Sequence, residues 1–313
     1  MQIFQDFESV PPAFHNGAIS IGKFDGVHRG HTLIFQHLKN YADKLSAPSI
    51  VVTFCPHPSA ILHSNSPHSL PIQTLARKID IIENFNVDAI IVIKPDKQFL
   101  LQSAETFFFN TLNKQLHARI IVCGKNFTFG RDRTGTPESI KNYCKNSEIE
   151  IKIVEPVQIN GITISSSLVR KLIKDGHINE ANNFLGMPYH LNGIIVKGNA
   201  RGRLLGFPTA NIENIETIIP KYGVYSTIAT LNKQKFIATT NIGISPTFNQ
   251  TNPRIETFIH DFNNNIYGKE LHLDVLELIR EIKQFNSKDE LITQMKNDII
   301  QSEIIAKKFL ITF

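Results

Sequence analysis

Two histidines three residues apart, His28 and His31, sit in a glycine-rich run that reads Gly22-Lys23-Phe24-Asp25-Gly26-Val27-His28-Arg29-Gly30-His31-Thr32. After it, Leu33, Ile34, Phe35, Leu38 and Tyr41 recur at helical spacing, which predicts a helix beginning near Val27. Residues three apart on a helix share a face, so both imidazoles would aim at one point. Before the run, residues 18–21 form a short apolar stretch that reads as a buried strand. A strand, a glycine turn and a helix N-terminus together make an anion site, because free backbone N–H groups and the positive end of the helix dipole face the same place. Gly30 leaves room for a nucleotide to approach, and the constellation suits a triphosphate under attack. Three other readings share these residues. Gly17 to Lys23 fits the first part of a P-loop, but Phe24 stands where Ser or Thr should bind magnesium. His-x-x-His can chelate zinc, although no further Cys or carboxylate lies at useful spacing. The plainest reading is a surface turn carrying two solvated histidines.

Other stretches also carry chemistry. Residues 124–135 mix glycines and cations with Asn126, Phe127 and Phe129, which reads either as a solvated loop with two Phe tucked beneath it or as part of a binding site. Ser165, Ser166 and Ser167 open a helix that carries Arg170 one turn on; the hydroxyls are helix caps or, with Arg170, phosphate ligands. Residues 197–203 make a basic turn containing Gly198, Arg201, Gly202 and Arg203, suited to phosphate. Thr209 and Asn211 place a hydroxyl and an amide two residues apart, the oxygen donors that magnesium accepts beside substrate phosphates. Glu256 interrupts an apolar strand pattern and is either an outward-facing carboxylate or a general base.

The elements that must position these residues follow from periodicity. Strands are predicted at residues 49–54, 88–93, 118–123 and 150–154, with helices at 73–85, 104–116 and 137–144, and a last helical signal from 164 to about 184. Alternating strands and helices mean right-handed crossovers and a parallel sheet, whose ligands bind at the carboxyl ends of the strands. Near Leu185 the pattern changes to short β-rich runs at 193–196, 222–230, 236–242, 255–261 and 271–279, which argue a small antiparallel barrel. A final helix opens on Ser287-Lys288-Asp289-Glu290, a capping-box pattern, with Ile292, Met295, Ile299 and Ile300 as its apolar stripe.

Composition bounds the rest. The 313 residues allow about two domains, and 42% hydrophobic content supports ordinary cores. No run approaches the ~18 apolar residues of a membrane span, and residues 1–12 show no signal peptide. Three scattered cysteines, Cys55, Cys123 and Cys144, imply no disulfide framework, so a reducing cytoplasm is expected. The net charge of +5 lacks any block long enough for a nucleic-acid arm, and small anionic ligands explain it equally well.

Taken together, the motifs resemble the prokaryotic bifunctional riboflavin kinase/FAD synthetase family over nearly the whole chain. Residues 22–31 match its Gly-x-Phe-Asp-Gly-x-His-x-Gly-His signature; residues 53–58, 126–130 and 165–170 match its Thr-Phe-x-Pro-His-Pro, Asn-Phe-x-Phe-Gly and Ser-Ser-[Ser/Thr]-x-x-Arg elements. Residues 201–211 match the kinase signature, supported by 241–248 and 256–268. Cys55 stands where the family usually has Glu, Asn199-Ala200 replaces Asp-Gly, and Asn249-Gln250 replaces a common Gly pair. The resemblance implies a Rossmann-like α/β nucleotidyltransferase domain with a parallel sheet over residues 1–185. A small antiparallel six-stranded β-barrel with a C-terminal helix, the kinase, would follow over 186–313. It implies phosphorylation of riboflavin to FMN and adenylylation of FMN to FAD, with ATP and Mg²⁺ consumed or required and ADP and pyrophosphate released. His28, His31, Arg170 and Glu256 would be catalytic. Gly22, Phe24, Asp25, Gly30, the three serines, Gly198, Arg201, Gly202 and Arg203 would bind nucleotide or phosphate. Asn126, Phe127 and Phe129 would bind flavin, and Thr209 and Asn211 the metal. No nucleic acid, membrane or obligate protein partner is expected.

Overall fold

The computed structural model describes residues 1–56, 70–198, 202, 205–243 and 253–312. The expectations for His57, Pro58, Asn199, Ala200, Arg201, Arg203 and residues 244–250 therefore lie outside the described residues. The chain divides into two compact units, Met1–Ser165 and Ser166–Phe313.

The first unit is built on six strands: β1 (Gln2–Phe4), β2 (Ala18–Ile21), β3 (Ser49–Phe54), β4 (Ala89–Ile93), β5 (Ile120–Gly124) and β6 (Glu150–Val154). They pair in the order β1-β4-β3-β2-β5-β6, each pair parallel. β2 to β5 are continuous β-branched and apolar runs buried on both faces, as a covered parallel sheet requires. Between them run α1 (Arg29–Leu45), α2 (Leu75–Glu83) and, ahead of β6, α3 (Pro137–Cys144). The strand order reverses at β2: β3 and β4 are added on one side, β5 and β6 on the other. A crevice must therefore open between the carboxyl ends of β2 and β5.

One local expectation is corrected here, and one element is new. The helix predicted over 104–116 is α-helical only at Ala104–Thr106 and then winds as a π-helix over Phe107–Gln115. Its buried residues Phe107, Phe108, Thr111 and Leu112 are spaced four and five apart, the period of the wider turn. A hairpin, β7 (Gln158–Ile159) and β8 (Ile162–Thr163), was not anticipated; Asn160 and Gly161 both take positive φ at its turn. All three cysteines are free, and burial pushes the Cys123 thiol up to about 12.

In the second unit the last predicted helix breaks into α4 (Ser166–Asp175) and α5 (Ile178–Leu185) at Gly176, whose φ of +84° ends the first. The barrel comprises β9 (Tyr189–Val196), β10 (Ala210–Glu213), β11 (Gly223–Leu231), β12 (Gln234–Gly243), β13 (Arg254–Ile259) and β14 (Glu270–Glu281). It closes in the order β10-β13-β12-β11-β14-β9. Apolar residues alternate inward along β9 and β13, and among them Thr227, Thr240 and Thr257 form a buried hydroxyl ladder at 2.9 and 3.0 Å. The final helix, α6 (Lys288–Thr312), starts where the Ser287 hydroxyl accepts the Glu290 N–H at 3.1 Å. The return arm of the expected capping box falls one residue upstream, the Glu290 carboxylate accepting from the Asn286 N–H at 3.1 Å. Its inner face is more polar than the predicted stripe. Asp298, Ser302 and Ala306 are buried, whereas Ile300, set round the far side of the helix, is 55% exposed. Asp298 grips Arg280 with bonds of 2.8 to 3.1 Å, and Ser302 donates to the Ala238 carbonyl at 2.8 Å.

α5 is bound into the barrel's core. The Asn182 amide donates to the Val275 and Leu276 carbonyls at 2.9 and 3.1 Å and accepts the Tyr189 N–H at 2.7 Å. A fragment of residues 166–313 should therefore melt cooperatively and at a higher temperature than one starting at Gly186. Differential scanning calorimetry of the two fragments checks this; equal midpoints would mean that α5 contributes nothing to the barrel.

Candidate active site

The loop from β2 to α1 takes a shape that its residues do not favour. Phe24 and Val27 both lie in the left-handed region, at φ 46° and 35°, with Gly26 at 86° between them. A β-branched residue there is a genuine outlier, tolerated only where surroundings impose it. Here they do: Phe24 and Val27 are buried, and the Asp25 carboxylate accepts the Ile72 N–H at 2.9 Å. Gly22 is required because a Cβ there would strike the Phe24 ring at 2.7 Å. The turn delivers His28 to the N-cap of α1, where its side chain makes no capping bond.

The two imidazoles stack, ring centroids 3.7 Å apart and planes inclined by 18°, with Phe24 edge-on to His31. Gly30 makes room for this stack, since a Cβ would press the His28 ring at 3.1 Å. Both Nδ1 atoms are buried without a hydrogen-bond partner. Burial lowers the His28 pKa to about 4; burial, His28 and the Lys78 ammonium hold His31 well below the ordinary range. The pair is therefore uncharged near neutrality.

The neighbouring loop after β5 supplies cations. Arg133 donates to the Thr128 hydroxyl at 3.0 Å, and its charge, after burial, helps to lower the Lys23 pKa. Asn126 is exposed and Phe127 half-buried, stacked on Phe129 at 5.4 Å. Phe129 itself is a core residue, packed on Phe107. Arg133, Lys23 and Lys78 were missed as candidates from sequence. Lys78 is buried on α2, and only its place in an otherwise apolar helical stripe could have flagged it. Ser165 is exposed at the end of the first unit, while Ser166, Ser167 and Arg170 open α4 in the second.

In the barrel, Asn211, Glu256 and Asn241 stand directly opposite one another across β10, β13 and β12. Opposed residues of an antiparallel sheet share a face, so these three form one polar row on the outside of the barrel wall. They line a cavity of about 410 Å³ with Thr209, Arg254 and Phe285. Two glycines back the row: a Cβ on Gly198 would meet the Asn211 amide at 2.2 Å, and one on Gly202 the Phe207 carbonyl at 2.3 Å and the Thr209 hydroxyl at 3.4 Å. Thr209, Asn211 and Glu256 are all oxygen donors around space kept clear by glycine, which fits a hard cation shared with phosphate. No group of three or more His, Cys, Asp or Glu side chains among the described residues could enclose a metal unaided.

Comparisons with known proteins bear on both sites. Residues 11–168 match the family model for FAD synthetase, and residues 185–306 that for riboflavin kinase. A bifunctional riboflavin kinase/FMN adenylyltransferase of Buchnera aphidicola is 32% identical over 99% of this chain and 98% of its own. Its counterpart from Bacillus subtilis is 34% identical over 90% and 89%. A crystal structure from Streptococcus pneumoniae, described as a macrolide-efflux protein, superposes with a TM-score of 0.86 at 33% identity over 96% of this chain and 98% of that one. No helix among the described residues is long and apolar enough to cross a membrane.

An uncharged histidine pair that meets a polyanion should take up protons, because bound phosphate favours imidazolium. Titration calorimetry with inorganic triphosphate in buffers of different ionisation enthalpy should show net uptake between about pH 4 and 6.5, abolished in a His28→Ala/His31→Ala variant. In the same window the unfolded chain binds more protons than the free protein, so stability should fall as the pH drops from about 6.5 towards 4. Binding without proton uptake would contradict a neutral pair.

Proposed function

The chain belongs to the bifunctional riboflavin kinase/FMN adenylyltransferase family, and from that membership we propose which residues run each reaction. It phosphorylates riboflavin to FMN and adenylylates FMN to FAD, with ATP as co-substrate of both steps. We assign adenylyl transfer to residues 1–185 and the kinase to residues 186–313, in keeping with the two matched stretches.

The observation that carries the division is chemical: one site offers two neutral imidazoles whose burial weakens them as bases, the other a carboxylate among hydroxyl and amide groups. The phosphate of FMN is already an anion at neutral pH, so its attack on ATP needs alignment and charge stabilisation rather than deprotonation. His28 and His31 hydrogen-bond the reacting phosphates, with Arg170 assisting. Gly22, Phe24, Asp25, Gly30, Ser165, Ser166 and Ser167 shape the nucleotide's place, and Asn126 and Phe127 bound the flavin's, with Phe129 supporting Phe127 from the core. The ribityl hydroxyl of riboflavin is neutral and a poor nucleophile. Glu256 takes its proton as the hydroxyl attacks the terminal phosphorus of ATP and ADP leaves. Gly198, Arg201, Gly202 and Arg203 hold the phosphates. Thr209 and Asn211 would hold Mg²⁺, which neutralises phosphate charge when bound. Free FMN, FAD, ADP and pyrophosphate are the remaining small-molecule partners. The reactions need no nucleic acid, membrane or protein partner, and the cytoplasm supplies both substrates.

Riboflavin with Mg-ATP, followed over time with FMN and FAD resolved, tests the assignment. Replacing His28 or His31 by Ala should slow FMN-to-FAD conversion by roughly 10²-fold or more while leaving riboflavin phosphorylation nearly unchanged. Glu256→Gln should lower kcat for FMN formation by about 10²- to 10⁴-fold with little change in riboflavin affinity. In that variant added FMN should still yield FAD. A Gln variant that phosphorylates riboflavin at the wild-type rate would show that the base lies elsewhere.

A further inference from the structure

Beneath the strained loop lies a lysine that the division of labour above does not use. Lys78 on α2 is only 7% exposed, and a fully buried ammonium is costly unless it is paired or used. Its Nζ donates to the Lys23 carbonyl at 2.7 Å and contacts the Thr53 hydroxyl at 3.4 Å. The Thr53 hydroxyl in turn donates to the same Lys23 carbonyl at 3.2 Å. Lys23 is the residue immediately before Phe24, where the left-handed turn begins. On its other flank the turn is tied through Asp25 to the Ile72 N–H, just ahead of α2. The α2 region thus clamps the turn from two sides, and the turn's far end is His28, stacked on His31.

We propose that Lys78 is a positioning residue for adenylyl transfer: its buried ammonium, bonded to the Lys23 carbonyl, fixes the strained backbone from which His28 and His31 project. The inference rests on the assignment of that histidine pair to adenylyl transfer. A second effect of the same ammonium is electrostatic. His31 is faced by His28, by the Phe24 ring and by Lys78, and the Lys78 charge opposes its protonation. Asp25 and Cys55 lie close enough to favour the ammonium, although burial still lowers its pKa. A neutral residue at 78 would release the turn and let His31 accept a proton more readily.

The test uses the full-length protein and the variants Lys78→Met, Lys78→Gln and Lys78→Arg. Lys78→Met should lower kcat for FMN adenylylation by about 10- to 10²-fold, the scale of a misplaced donor, with riboflavin phosphorylation at the wild-type rate. Proton NMR of the histidine ring signals should show His31 titrating at higher pH than in the wild type, and the same rise in Lys78→Gln, which keeps a donor for the Lys23 carbonyl, separates loss of the charge from mere loosening of the turn. Lys78→Arg, which keeps both charge and donor, should restore part of kcat and return the titration towards the wild-type value. Should the Met variant fail to fold, Lys78→Gln keeps a donor for the Lys23 carbonyl without the charge; a raised His31 titration there supports the proposal. Wild-type kcat together with an unmoved His31 titration in either neutral variant overturns it. If the His28→Ala/His31→Ala protein still makes FAD from FMN, the assignment of the site has failed and the role of Lys78 falls with it, whatever the Lys78 variants do.

Discussion

The first unit depends on a reversal of strand order. Because β3 and β4 are laid down on one side of β2 and β5 and β6 on the other, the connections leaving β2 and β5 run in opposite directions from neighbouring strands. A crevice is expected between their carboxyl ends, and the chemistry-bearing loops flank it. One loop gives the histidine pair and the other gives Arg133 and the Phe127–Phe129 stack. The sheet itself is an ordinary covered parallel core; its contribution is to hold the two loops in fixed positions.

The barrel solves a different problem with a different geometry. Its strands alternate faces, so residues on one side form the hydroxyl and aliphatic interior while their neighbours are free to line a pocket outside. Glu256 is outward-facing, as a half-buried strand would make it, and it also lies in the cavity wall. The two readings that strand periodicity left open are therefore compatible. Polar groups on α6 are kept by pairing, with Asp298 held on Arg280 and Ser302 on the Ala238 carbonyl.

Most of the architecture was legible because it rests on short-range signals. Continuous apolar runs announced β2 to β5, and the loss of helical spacing after Leu185 announced the barrel. His28, His31, Thr209, Asn211 and Glu256 were visible because their motifs are local in the chain. What escaped depends on contacts between distant segments. Lys78 reads as an ordinary cation on a helix until the Lys23 carbonyl, 55 residues away, is seen to lie against it. The π-helical turn of Phe107–Gln115 is set by which side chains the core accepts, and helical periodicity alone does not distinguish four from five residues per repeat over so short a stretch. Ile300 was assigned inward because it is apolar, whereas bonded polar residues take that face.

The glycines behind the polar row carry a consequence for how such a sequence varies over evolutionary time. Loops on a protein's outer surface normally accept substitutions freely, because few atoms crowd their side chains. At Gly198 even a methyl group would come within 2.2 Å of the Asn211 side-chain amide, and at Gly202 within 2.3 Å of the Phe207 main-chain carbonyl. Drift at these two positions is therefore restricted to glycine unless the Asn211 side chain turns away or the main chain at Phe207 moves. A lineage that exchanged Gly198 would have to turn or replace the Asn211 side chain in the same step, whereas at Gly202 no exchange of side chains removes a main-chain carbonyl, so that glycine should be the more firmly inherited of the two.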